Sequence, residues 1–157
     1  MKFFDNIEQL SKFEARQLNP LVLAYIGDSI FDLYIRTHLV VNNRNMNVNK
    51  LNLNAISYVR SKSQYIISKK LLYLFDEEEL TIFKRGRNTK SGTIPKNADL
   101  LEYKAATGFE ALLGFLYITS QKERLNYILD LVITLDLSVM ESQSKDNIMR
   151  EGKHHEG

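Results

Sequence analysis

The sequence predicts an all-α fold, and three observations lead to that prediction. Apolar residues recur at helical spacing over long stretches, only two prolines and seven glycines interrupt the 157 residues, and acidic residues stand where they would cap helices. With 44% hydrophobic and 25% charged residues, the composition is typical of one globular domain with a sizeable core. We expect a single domain over residues 1–140, followed by a polar, disordered tail over residues 141–157.

The first long helix is predicted over residues 20–41, which are almost all apolar. Pro20 suits the first helical turn and Asn19 suits the N-cap. A helix that is apolar on nearly every face belongs in a core or at a subunit interface. An asparagine-rich loop is expected over residues 41–49, and a second long helix with basic residues between its apolar positions over residues 48–75.

The next helix begins at an acidic cluster. Asp76 as N-cap and Glu79 three residues later form a predicted capping box. The helix that they start is short and is expected to end near Lys84 or Arg85. Glycines and a proline then predict an exposed loop over residues 86–98.

Two further helices complete the predicted fold. Asp99 and Glu102 form a second predicted capping box, which opens a helix over residues 100–119. A last amphipathic helix is predicted over residues 122–136, with its aliphatic residues on one side. We see no internal repeat and no linker, which agrees with one domain.

The composition also excludes several classes of function. Without cysteine there is no disulfide, no thiolate metal site and no cysteine nucleophile. The first residues lack the apolar core of a signal peptide, and no stretch of about 18 apolar residues predicts a membrane span. We expect a cytoplasmic protein with no membrane association.

Charge is segregated along the chain, although the net charge is only +2. Residues 33–75 contain no acidic residue but seven lysines and arginines, and residues 80–98 contain five with no acid. Such segregation indicates a polyanionic partner, with a solvated basic surface as the alternative. In the second stretch, hydroxyl and amide side chains and glycine lie between the cations, which suits contacts to phosphate and sugar.

Two carboxylates stand inside strongly apolar helical runs. They are Asp28 in the first long helix and Glu110 in the helix over residues 100–119. A buried carboxylate is costly unless it is paired, hydrogen-bonded or bound to a metal. If the two helices pack side by side, both acids can hold a magnesium ion, which prefers carboxylate oxygens and acts on phosphoryl groups. The alternative is that each acid pairs with a cation such as Arg36 or Lys104.

Four segments resemble a known family. AYIGDSIF at residues 24–31 resembles the signature helix of the ribonuclease III catalytic domain, and GFEALLG at residues 108–114 resembles its second acidic motif. YVRSKSQ at residues 58–64 and RGRNTKSGTIPKN at residues 85–97 are similar to segments of Mini-ribonuclease III, a short bacterial branch without a separate double-stranded-RNA-binding domain. The order, the spacing and the intervening basic loop make the combination specific.

The resemblance implies an all-α endonuclease that acts as a homodimer on double-stranded RNA and matures the ends of precursor 23S ribosomal RNA. It implies Mg²⁺, with Mn²⁺ as a substitute, and products with 5′-phosphate and 3′-hydroxyl ends. Asp28 matches the catalytic aspartate and Glu110 the metal-binding glutamate, so both are expected to act in catalysis and in metal binding. The residues expected to contact RNA are Arg85, Arg87, Asn88, Lys90 and Lys96.

The sequence also departs from the longer family members. Ala24 stands where they carry a glutamate, and Thr107 stands where they carry an aspartate, so half of the acidic cluster is missing. Asp32, one helical turn after Asp28, is a weak candidate to supply a lost charge. The thinned cluster favours an alternative, a non-catalytic RNA-binding or ribosome-associated module on the same scaffold. The presence of Asp28 and Glu110 opposes it.

Overall fold

The computed structural model describes residues 7–90, 92–135 and 137, and within these ranges the chain forms helices and no strand. The elements are α1 (Lys12–Gln17), α2 (Pro20–Asn42), α3 (Val48–Val59), α4 (Ser61–Leu71), a 3-10 helix (Leu72–Leu74), α5 (Glu77–Asn88), α6 (Leu100–Ile118) and α7 (Lys122–Thr134). The all-α prediction is confirmed. In these ranges no helix is both long and apolar enough to cross a membrane. The predicted tail over residues 141–157 lies outside them.

Helix α6 is the centre of the domain. It packs against α2, α4, α5 and α7, and its buried residues include both aromatic and small side chains. The rings of Phe31 on α2 and Phe109 on α6 are fully buried and meet edge to face, with 5.5 Å between their centroids. Because α6 is covered on most sides, its apolar residues do not form the single stripe of a surface helix.

Helices α2 and α6 cross in backbone contact. A Cβ atom built on Gly27 would lie 1.7 Å from the carbonyl oxygen of Glu110, and one on Gly114 would lie 1.9 Å from the carbonyl oxygen of Leu23. No other residue fits at either position without a shift of the helices. This crossing brings Asp28, which follows Gly27, close to Glu110.

The predicted end of the third helix at residues 84–85 is wrong, because α5 continues to Asn88. The predicted loop glycine, Gly86, is buried inside the helix. A Cβ there would lie 2.9 Å from the Cβ of Ala111 and 2.9 Å from the Cα of Gly108, so this glycine permits close packing of α5 on α6. The sequence pattern predicts a turn at this glycine. In the structure it lies inside a helix and lets two helices pack closely.

The single helix predicted over residues 48–75 is also wrong. The chain leaves helical geometry at Arg60, where φ is −62° and ψ is 151°. The hydroxyl of Ser63 donates to the carbonyl of Ser57, and Nε of Arg60 donates to that hydroxyl over 3.0 Å. Serine side chains offer the backbone such alternatives to helical hydrogen bonds. The apolar spacing continues across the break, which is why the pattern did not reveal it.

The capping predictions are confirmed in large part. The side chain of each predicted N-cap accepts a hydrogen bond from the first helical turn: Asn19, Asp76 and Asp99. Glu79 completes the capping box of α5, whereas in α6 only the bond from the Glu102 backbone to the Asp99 side chain is formed, so the second predicted capping box is half complete. Helix α1 was not predicted, although the reciprocal bonds between Ser11 and Glu14 form another capping box whose residues are visible in the sequence. Helices α6 and α7 begin where predicted.

Arg124 of α7 joins the end of the 3-10 helix to α5. Its Nε lies 2.7 Å from Oε1 of Glu79, and its Nη2 donates to the carbonyl of Leu74 over 2.7 Å. Glu79 is only 2% exposed. The guanidinium therefore neutralises a buried carboxylate and satisfies a backbone carbonyl with the same planar group.

Candidate active site

Asp28 and Glu110 meet where α2 crosses α6. Asp28 is exposed and Glu110 is half-buried, and their carboxyl groups are close enough for one, when protonated, to donate to the other. The two residues are far apart in sequence, and the glycine-mediated contact of their helices brings them together. The result is a pair of acids at the surface, with one member deeper than the other.

The pair has an unusual charge state. Burial raises the pKa of Glu110 from 4.5 to about 7, a hydrogen bond from Gln64 opposes that rise, and the nearby Asp28 carboxylate adds to it. Two carboxylates that share a site resist being ionised together. A bound cation would relieve this repulsion.

No basic side chain in the described ranges neutralises the pair. Among residues 7–90, 92–135 and 137, neither Asp28 nor Glu110 forms an ion pair with a lysine or arginine. Arg36 instead pairs with Asp32, with 2.9 Å between Nε and Oδ2. The alternative in which Arg36 or Lys104 pairs with these acids is therefore not observed.

The donor set fits a hard divalent cation with an incomplete protein shell. Carboxylate oxygens are the ligands that Mg²⁺ prefers, and Mg²⁺ commonly keeps several waters. Within the described part of the chain, no group of three or more acidic or histidine side chains could hold a metal. Water and a substrate phosphate would have to supply the remaining ligands.

The positions that differ from the longer family members do not compensate for the missing acids. Ala24 is buried and has no polar side chain. The hydroxyl of Thr107 donates to the carbonyl of Tyr103 over 3.1 Å, inside its own helix. Asp32 is occupied by its ion pair with Arg36.

Gln64 contacts Glu110 of the acidic pair, a role that was not predicted from the sequence. Its amide nitrogen donates to Oε1 of Glu110 over 2.8 Å and to the carbonyl of Val59 over 2.9 Å. The signal available in the sequence was its place in the family-like segment at residues 58–64. The contact itself depends on the unpredicted break between α3 and α4.

The residues expected to bind RNA divide into two groups. Arg85, Arg87 and Asn88 lie in the last turn of α5, not in a loop. Lys90 and Lys96 are exposed in the connection that follows. The proposed binding surface therefore begins on a rigid helix end and continues on a loop.

The cations at the end of α5 already have protein contacts. Nη1 of Arg85 donates to the carbonyl of Arg16 over 2.9 Å, which ties α5 to the end of α1. The guanidinium of Arg87 lies 5.9 Å from the ring centroid of Phe83, and its Nε donates to the side chain of Asn88 over 3.2 Å. Both arginines remain near the surface.

Comparison with known proteins agrees with this geometry. Residues 21–121 match the ribonuclease III domain. Mini-ribonuclease 3 of Clostridium tetani is 40% identical over 148 residues, which cover 94% of this chain and 93% of that protein. Mini-ribonuclease 3 of a Thermoanaerobacter species is 47% identical over 133 residues, or 85% and 93% of the two chains.

A solved structure is also similar. The crystal structure of a protein from Fusobacterium nucleatum superposes with a TM-score of 0.68 at 35% sequence identity, covering 76% of this chain and 94% of that one. The sequence matches and the structural match each cover most of the chain. The chain belongs to the ribonuclease III family of endoribonucleases, and within it to the branch of the Mini-ribonuclease 3 proteins.

Proposed function

We propose that this protein is a magnesium-dependent endoribonuclease that cuts double-stranded RNA and matures the ends of precursor 23S ribosomal RNA. The observation that carries the proposal is the pair of Asp28 and Glu110 at the crossing of α2 and α6, with which no lysine or arginine among the described residues forms an ion pair. Membership of the ribonuclease III family supports it. Bacterial ribosomal RNA is processed where it is transcribed, so this substrate implies a cytoplasmic site of action.

The two acids have complementary positions for this chemistry. Asp28 is exposed, where it can meet both a cation and the phosphate of an approaching strand. Glu110 is half-buried and accepts a hydrogen bond from the Gln64 amide. Bound Mg²⁺ supplies activation of water and neutralisation of phosphate charge, and Mn²⁺ accepts the same oxygen ligands. Attack of water on phosphorus, with release of the 3′ oxygen, leaves 5′-phosphate and 3′-hydroxyl ends.

The basic residues supply the binding surface for the duplex. Double-stranded RNA is recognised mainly through its shape, phosphates and 2′-hydroxyls, which exposed lysines and arginines can contact without reading sequence. The proposed contacts are Arg85, Arg87, Asn88, Lys90 and Lys96. Of these, Lys90 and Lys96 are exposed in the connection to α6.

A homodimer would present one acidic pair to each strand, since a two-fold axis relates the two sites. The exposed apolar stripe on α2 supports this proposal. Val22, Tyr25 and Leu33 lie on one face of the helix, and Tyr25 is 80% exposed. An apolar stripe on a helix is a common element of a subunit interface. Because Asp28 is on the same helix, the proposed interface would adjoin the acidic pair.

The rival function is a non-catalytic RNA-binding or ribosome-associated module. The small number of acids favours this rival, because the described residues bring no third acidic or histidine side chain to Asp28 and Glu110 to help bind a metal ion. Incubation with structured precursor ribosomal RNA, with and without Mg²⁺, separates the two functions. We expect Mg²⁺-dependent cuts in paired regions that leave 5′-phosphate ends, and no cuts in a single-stranded control. Retention of the RNA without cleavage at any Mg²⁺ or Mn²⁺ concentration would favour the rival.

A further inference from the structure

We propose that Gln64 is a positioning residue that holds Glu110 in the orientation needed to bind the divalent cation. This inference rests on the proposed metal-dependent function and assigns a role to a residue outside the acidic pair. Gln64 is 2% exposed and lies on α4, which packs against α6. Its side chain reaches Glu110 from a third helix, so α2, α4 and α6 all contribute to the site.

The orientation of the Gln64 amide is determined by its partners. The carbonyl of Val59 can only accept a hydrogen bond, and it lies 2.9 Å from Nε2 of Gln64. The nitrogen must therefore face Val59, and the second N–H of the same group donates to Glu110. In this orientation the glutamine presents a donor to the carboxylate, which favours the ionised form that binds a cation.

The break between α3 and α4 builds this arrangement. The last carbonyls of a helix have no partner within it, and the carbonyl of Val59 is one of these. Gln64 satisfies that carbonyl with its side chain, while its backbone N–H donates to the carbonyl of Arg60 over 3.1 Å. The amide is thus anchored at the backbone and aimed at Glu110.

The Gln64 side chain also has an unfavourable feature. Its Oε1 atom is buried and has no hydrogen-bond partner among the residues that the structure describes. An unpaired buried acceptor is unfavourable, and an apolar side chain of similar volume would avoid it. An apolar replacement could donate neither to the carbonyl of Val59 nor to Glu110, and of these two hydrogen bonds only the one to Glu110 reaches the acidic pair.

Calorimetric titration of the full chain with Mn²⁺ tests the proposal without relying on cleavage. Gln64→Met keeps the length and volume of the side chain but has no donor, and we expect its Mn²⁺ affinity to fall roughly 10- to 100-fold. Gln64→Asn keeps the amide but is one methylene shorter, so it cannot contact both Val59 and Glu110, and a similar loss is expected. Circular dichroism and thermal melting report whether each variant is folded. If Gln64→Met does not fold, the Mn²⁺ affinity of Gln64→Asn tests the proposal.

The matched control is Ser68→Ala, on the same helix. Ser68 is equally buried, and its hydroxyl donates to the carbonyl of Tyr65 over 2.9 Å, away from the acids. We expect parental Mn²⁺ affinity for this control. In cleavage assays, the Gln64 variants should need more Mg²⁺ but recover most of the parental turnover at saturation, whereas a general structural defect would lower turnover at every concentration.

The outcomes separate this inference from the proposed function. If the parent binds Mn²⁺ and folded Gln64 variants bind it equally well, Gln64 has no positioning role, although the metal site stands. If the parent binds no Mn²⁺ and Glu110→Gln behaves identically, the metal-dependent function itself is wrong.

Discussion

At the scale of single residues, Glu110 has the most consequential environment. It is half-buried on α6, it faces Asp28 on α2, and it accepts a hydrogen bond from Gln64 on α4. Burial and the neighbouring carboxylate make its ionised form costly, while the donor from Gln64 makes it less so. A site of this kind is costly to ionise when empty and favourable when a dication is bound.

This environment predicts how the stability of the metal-free protein depends on pH. Because the pKa of Glu110 is raised from 4.5 to about 7, its protonated form stabilises the fold. That contribution is complete below about pH 4.5 and is lost as the pH rises through about 7, by roughly 1–3 kcal/mol. Denaturant titrations in chelator at pH 5 to 8 measure the fall in unfolding free energy. The Glu110→Gln variant should lack this component, and equal slopes for both proteins would contradict the assignment.

At the scale of elements, the crossing of α2 and α6 positions the site. Gly27 is in contact with the backbone of Glu110, so even one methyl group must push the helices apart. We predict that Gly27→Ala lowers the unfolding free energy by about 3 kcal/mol, the upper end of overpacking costs. It should also reduce cleavage, because the backbone of Glu110 moves.

Gly92→Ala is the matched control for this crossing. A Cβ built on Gly92 meets nothing within 4 Å, and no described glycine has a positive φ. We expect its stability to stay within about 0.5 kcal/mol of the parent in the same denaturant titration. Equal effects at Gly27 and Gly92 would mean that the helices do not cross in backbone contact.

The ion pair between Arg124 of α7 and Glu79 of α5 predicts a second effect on stability at the scale of elements. Arg124→Met leaves the buried carboxylate of Glu79 without its cation, and we expect a loss of about 3–5 kcal/mol in unfolding free energy. The comparison is Lys12→Met, which removes an exposed partner of Glu78 and should cost less than about 1 kcal/mol. Thermal melting measures both losses, and an equal loss of stability in the two variants would contradict the prediction.

Much of this fold could be predicted from local sequence, because caps and apolar periodicity are local properties. Asn19, Asp76 and Asp99 mark helix starts through short-range hydrogen bonds. The break at Arg60 and the burial of Gly86 could not be predicted, since both depend on packing between helices.

The same distinction applies to the site. Asp28 and Glu110 stand out in sequence because a charge in an apolar run is unusual. Gln64 does not stand out, because its importance comes from the position of α4 after an unpredicted break.

At the scale of the whole molecule, the two ends of α5 carry charge of different kinds. The exposed Lys90 and Lys96 follow α5, whereas Glu78 at the start of α5 is already paired with Lys12 and Arg16. Among the described residues no carboxylate forms an ion pair with Lys90 or Lys96, so a duplex would be attracted to this end of α5.

This separation predicts the salt dependence of duplex binding. Lys90→Ala and Lys96→Ala should each weaken binding and reduce the slope of log affinity against log salt by roughly one. Lys12→Ala, on α1 beside the start of α5, should leave the slope unchanged. Fluorescence anisotropy with a labelled RNA duplex at several salt concentrations measures it. Identical slopes for all four proteins would remove the connection after α5 from the RNA interface.

The most direct test of the central claim is single-turnover cleavage of a labelled RNA duplex at saturating Mg²⁺ by Asp28→Asn and Asp32→Asn. Both carboxylates lie on α2 one turn apart, but Asp28 faces Glu110 and Asp32 pairs with Arg36. We predict that both variants fold and bind the duplex, that Asp28→Asn cuts at least about a hundredfold more slowly, and that Asp32→Asn cuts at nearly the parental rate. Cleavage by Asp28→Asn at the parental rate would contradict the claim that Asp28 and Glu110 form the catalytic metal site.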